Sequence, residues 1–150
     1  MPSTALIGIA GVHYVAAELS RRGMIALPTI RNTAAYDLVI VTPDGTKHAN
    51  IQVKTSFRRV SNFPMPPVEK IRAGRHDFYV LVRWIEKDRR FEVFMLSGRH
   101  ARAAVEIRVK AQKGNIRKGT RKSVWPGIRA DPRDPRQGGA WRKKWESWKL

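Results

Sequence analysis

The chain contains no cysteine. That excludes a disulfide framework and any thiolate metal site. Acid is scarce as well. Twelve Asp and Glu stand against 30 Lys and Arg, for a formal charge of +18. No uninterrupted apolar stretch reaches membrane-spanning length, and Met1-Pro2-Ser3-Thr4 places no basic residue ahead of an apolar run. Membrane attachment and a secretory signal are therefore not expected, and a cytoplasmic, nucleoid-associated location follows by default. There is no internal repeat that would point to a solenoid or propeller.

What is present fits one domain with one core: 150 residues, 42% of them hydrophobic. A surface this basic draws polyanions in from a distance, and nucleic acid is the first candidate because neutralised phosphates release counterions. The excess is concentrated late in the chain, where residues 108–150 hold 14 Lys and Arg against 3 Asp and Glu. Arg31, Arg58 and Arg59 flank the central segment, Arg99 and Arg102 fall on a basic helix, and Lys118, Arg121 and Lys122 precede Trp125; all are candidate phosphate contacts.

Local signals predict the elements. Ser3 or Thr4 caps a helix that runs to about Arg22, with Gly23 as its stop. Met24–Leu27 reads as a short strand. Tyr36–Val41 and Lys47–Ser56 read as a hairpin joined by an Asp44-Gly45 turn. Residues 61–67 read as an irregular connection, Phe78–Trp84 and Phe91–Leu96 as two more strands, and Ser97 as the cap of a helix to about Lys113. The tryptophans at 141, 145 and 148 fall at helical spacing, which predicts packing on the core or on a twin subunit rather than base stacking. The expected architecture is α/β: a mixed sheet of about five strands flanked by helices. Residues 1–113 form its core, and 114–150 form a basic, Trp-containing extension packed on the same domain.

The hairpin carries the chemistry. Side chains alternate across a strand, so Gln52 and Lys54 share one face while Ile51 and Val53 point the other way. An acid, an amide and an ammonium within an apolar hairpin must satisfy one another or do chemistry. Asp37 is either a ligand for a hard divalent cation or a strand-edge aspartate paired with an arginine. Gln52 offers an amide oxygen to a cation or satisfies the backbone. Lys54 either orients water and steadies charge on phosphorus or snorkels to the surface.

The series of helix, Gly23, strand, Asp37, hairpin and Gln52-x-Lys54 resembles the PD-(D/E)XK nuclease superfamily in its QxK variant, in particular its small resolvase-like and homing-type bacterial members. The resemblance covers roughly residues 8–60. It implies a metal-dependent DNA endonuclease in which Asp37, Gln52 and Lys54 are catalytic. Asp37 and Gln52 would bind Mg²⁺ (or Mn²⁺), and cutting both strands would require a homodimer or higher assembly. His13, Glu18 and Ser56 are possible accessory residues. One position departs from the pattern: counting back from Gly23, the helix site where such members carry glutamate is Val12. Two other readings stand beside this one, a DNA-binding member of the same fold impaired in catalysis and a basic RNA-binding protein.

Overall fold

The computed structural model describes residues 2–30, 36–57, 62–120 and 123–150. Helix α1 (Thr4–Arg21) opens on Ser3, whose side-chain oxygen accepts from the Leu6 N–H. It ends before Gly23, which has φ +83°, a left-handed conformation that glycine adopts without a Cβ penalty. The buried positions Gly11, Val15 and Leu19 repeat every four residues, so one stripe of α1 faces the sheet.

Five strands follow in spatial order β1 (Ile25–Pro28), β2 (Leu38–Val41), β3 (His48–Ser56), β5 (Asp77–Ile85) and β6 (Arg90–Ser97). The β3–β5 pair is parallel and the other pairs are antiparallel. This is the mixed α/β sheet that the sequence predicts. Residues 57–76, the connection between β3 and β5, hold a further strand, β4 (Asn62–Pro64). It pairs antiparallel with β7 (Gly127–Arg129). The sequence alone predicts an irregular connection over residues 61–67. Three residues ending on a proline carry no periodicity, and only a partner 65 positions away along the chain makes them a strand.

Each sheet face has its own core. Leu38, Ile40, Ile51, Val53, Val80, Val82, Val93 and Met95 pack under α1 and helix α3 (Gly138–Ser147). Tyr79, Leu81, Phe94 and Leu96 pack under helix α2 (Gly98–Arg117), with Phe63 and Ile128 completing that side. Ser97 caps α2 as expected. The helix runs past the boundary expected at 113, carrying Gly114 in its interior and stopping before Gly119, whose φ is +72°.

The extension is built into the domain. Trp145 and Trp148 are buried in the first core, and Trp141 packs against the second. The Arg22 guanidinium lies 4.4 Å from the centre of the Trp145 ring and donates to the Trp145 carbonyl oxygen. This ties the end of α1 to α3. Among the described residues no helix is long and apolar enough to cross a membrane.

Candidate functional site

Strand β2 pairs with β3 from His48 to Ile51 and no further. At that limit the two strands part, and Asp37 stands in the fork. Its N–H donates to the Ile51 carbonyl oxygen at 2.9 Å, extending the ladder by one bond. Its side chain then takes over the pairing. Oδ2 accepts from the Val53 N–H at 2.7 Å and from the Gln52 side-chain amide. Beyond the fork, the edge of β3 through Ser56 has no strand beside it on the β2 side among the described residues.

A cavity of about 360 Å³ opens at the fork. Gly8, Val12 and His13 of α1 line one wall; Thr29, Tyr36, Asp37 and Val53 line the other. Val12 therefore fills the wall that faces Asp37, and a second carboxylate is missing from it. His13 is exposed and at the rim. Glu18 does not join the site. It lies six residues, about 9 Å, further along α1, paired with Arg21 at 3.1 Å and Arg22 at 3.9 Å.

Alternation puts Lys54 on the same strand face as Gln52, about 7 Å further along. It is half-buried, and its ammonium has no ion-pair or hydrogen-bond partner among the described residues. Ser56 follows on the same face and is buried. Asp37 and Gln52 are thus in direct contact, with Lys54 and Ser56 in file behind them. Among the described residues Asp37 has no arginine partner: its carboxylate is held by an amide and a backbone N–H.

A second carboxylate anchors the segment leading into Asp37. Asp77, at the start of β5, accepts from the Tyr36 hydroxyl at 2.9 Å, from the Asn50 side chain at 3.2 Å and from the Gly74 N–H at 2.8 Å. Burial works against its charge, but those hydrogen bonds and the nearby Arg72 guanidinium outweigh it and hold the carboxyl below the usual carboxylate range. Tyr36 is pushed up in turn, by burial first and then by Asp77. Sequence reasoning passed over Asn50, Tyr36 and Asp77. A signal existed for Asn50, which precedes Gln52 and Lys54 in the same alternation. None existed for Asp77, which arrives from another strand.

The basic candidates divide. Arg99 is exposed on the first turn of α2, and Arg102 donates to the Ile71 carbonyl oxygen at 2.5 Å. Both sit at the sheet end where β5 begins, and Arg102 lines a cavity there with Arg72 and Asp77. Lys118 is exposed at the other end of α2. Arg31, Arg58, Arg59, Arg121 and Lys122 lie outside the described residues.

The donors at the fork suit a hard cation. Asp37 Oδ1 and Gln52 Oε1 carry no hydrogen-bond partner among the described residues, and both are oxygens of the kind Mg²⁺ takes. They make a small set: no group of three or more His, Cys, Asp or Glu able to hold a metal occurs among the described residues. Such a pair leaves most of a six-oxygen shell to water and to a phosphate group.

The fold is a mixed α/β sheet that carries an acid, an amide and a lysine where the central strand, among the described residues, loses its neighbour. No family model matches the chain, and no curated protein matches it. Among solved structures the chain is similar to a bacterial homing endonuclease, I-Ssp6803I, at 18% identity and a TM-score of 0.54, over 97% of this chain and 91% of that one. The likeness is one of fold, and it spans nearly the whole chain rather than the hairpin alone.

Proposed function

We propose that this protein is a DNA endonuclease of the PD-(D/E)XK superfamily, QxK variant, hydrolysing phosphodiester bonds at the fork between β2 and β3. The contact between Asp37 and Gln52, with Lys54 on the same face of β3, is the observation that carries this reading. The fold neighbour, which is named for a homing endonuclease, supports it.

In this reading Asp37 Oδ1 and Gln52 Oε1 hold Mg²⁺ or Mn²⁺, which when bound polarises the phosphate and neutralises charge on the leaving oxygen. The chain's own groups do the rest. Lys54, with no competing ion-pair partner among the described residues, orients the attacking water and meets the charge that builds on phosphorus. The Val53 N–H and the Gln52 amide fix the Asp37 carboxylate. The Asp77–Tyr36 bond steadies the residue before it. A two-strand break requires a second site, hence a homodimer or higher assembly.

Val12 favours a second reading. With valine in the wall facing Asp37, a single carboxylate remains, and the protein could bind DNA on this surface without cutting it. One assay separates the two: supercoiled plasmid with Mg²⁺, wild type beside Lys54→Ala and Asp37→Asn. The nuclease reading expects nicking by wild type and loss of at least a hundredfold in both variants. Equal nicking by all three overturns it. Binding without nicking by wild type selects the second reading.

A further inference from the structure

Beyond Lys54 the open edge of β3 leads into a second cavity, of about 670 Å³. Thr4 of α1 lines both cavities, so the two adjoin the first turn of that helix. The second is walled by Thr55, Ser56, Asn62, Arg108 and Trp125 among others, and no carboxylate lines it. Arg108, on the sheet side of α2, is held in place. Its guanidinium lies 5.0 Å from the centre of the Trp125 ring, and one nitrogen donates to the Asn62 side-chain oxygen at 3.4 Å. Trp125 is itself fixed: its N–H donates to the Gln112 side chain, and Gly127 lies against its ring with no room for a Cβ. Deeper in, Thr55 Oγ1 is buried without a hydrogen-bond partner among the described residues.

We infer that this cavity is a subsite for one nucleotide of the bound strand, with its phosphate on Arg108 and the hydroxyl of Ser56. The inference rests on the DNA reading above and adds to it a residue on the α2 side of the trough. The chemistry is that of an anion site. A guanidinium preoriented by stacking loses little freedom on meeting a phosphate and presents paired donors to it. Hydroxyl and amide donors surround it with no competing acid. The volume is that of a small-ligand pocket rather than of a lone ion. Position supports the same assignment. Ser56 follows Lys54 on one strand face, so a backbone passing the fork continues into this cavity. Arg99 and Arg102, which carry the same charge, stand at the opposite end of the sheet.

The test is DNA binding by the full chain, read by fluorescence anisotropy across a salt series, so it does not depend on cleavage. Arg108→Gln is expected to weaken binding roughly tenfold and to lower the slope of log K against log salt by about 0.9, the share of one phosphate. Asn62→Asp, which sets a carboxylate beside Arg108 without disturbing the Trp125 stack, is expected to do the same. Arg108→Lys keeps the slope. Arg21→Gln, at the far end of α1, leaves affinity within twofold. If wild type binds while Arg108→Gln and Asn62→Asp bind as tightly and with the same slope, the inference falls and the DNA reading stands. If wild type shows no salt-dependent binding, both fall.

Discussion

Gly11 lies so close over Thr55 that a methyl carbon on it would come within 1.8 Å of the Thr55 hydroxyl oxygen and 2.9 Å of its Cβ. This contact sets the height of α1 above β3, and with it the width of both cavities. In a helix interior, Gly to Ala is worth up to about 1 kcal/mol in favour of alanine. Here the overlap decides the sign, and Gly11→Ala is expected to destabilise by about 1–3 kcal/mol. Gly114 in α2 has nothing within 4 Å of such a carbon, so Gly114→Ala is expected to stabilise. Denaturant melts of the two variants side by side check the pair. Gly11→Ala with Thr55→Ala should recover part of the loss but not all, since the Cβ of residue 55 remains.

The Asp37–Gln52 contact makes a prediction about charge. Gln52 donates to Asp37, so Gln52→Glu replaces a donor with a second carboxylate against the first. Without metal the variant is expected to lose about 1–3 kcal/mol, the cost of an unsatisfied, repelled group. With Mn²⁺ present the loss should shrink, because two carboxylates bind a divalent cation more tightly than one. Thermal melts with and without millimolar Mn²⁺ read this directly. A variant whose stability ignores the ion would count against a cation at the fork.

Arg83 and Glu92 face each other across β5 and β6 at 2.5 Å, 15% and 5% exposed. Removing one partner leaves a buried charge, so Glu92→Ala is expected to cost about 3–5 kcal/mol. Arg83→Met with Glu92→Leu is expected to return most of it, because the pair already bears its own desolvation. A double-mutant cycle measured by urea denaturation gives the coupling.

Acid should weaken the fold through Asp77. A carboxyl held below its ordinary value in the native state contributes stability that is complete above the ordinary value near pH 4 and lost as pH falls through the lowered one. Unfolding free energy is therefore expected to fall below about pH 4. Asp77→Asn should be less stable at neutral pH and flatter across the acid range. Asp44 and Asp131, lowered to about 2 by their own hydrogen bonds, add to the same trend. Circular dichroism titrations of both proteins measure the difference in slope.

Much of this was legible along the chain because the causes are local. Ser3 and Ser97 cap helices through their own hydroxyls. The Asp44-Gly45 turn and the alternation through Gln52 and Lys54 announce a hairpin with a polar face. What escaped notice depends on distant partners. β4 exists because residues 127–129 come to lie beside it. Asp77 matters because β5 runs parallel to β3 and delivers it beside Asn50. Arg108 is one cation among thirty along the chain, and only the fold brings Trp125 and Asn62 to hold it.

The sequence by itself determined the elements and their polarity, and the acid, amide and lysine of the hairpin, since capping, turn chemistry and strand alternation act over a few residues. Tertiary structure alone decided that the pairing of β2 with β3 ends opposite Ile51, leaving the edge of β3 beyond it without a strand among the described residues, and that α1 and α2 close in on either side of it. A trough of that kind is made by where strands end and how near helices can approach. Both are settled by packing between residues far apart in the chain.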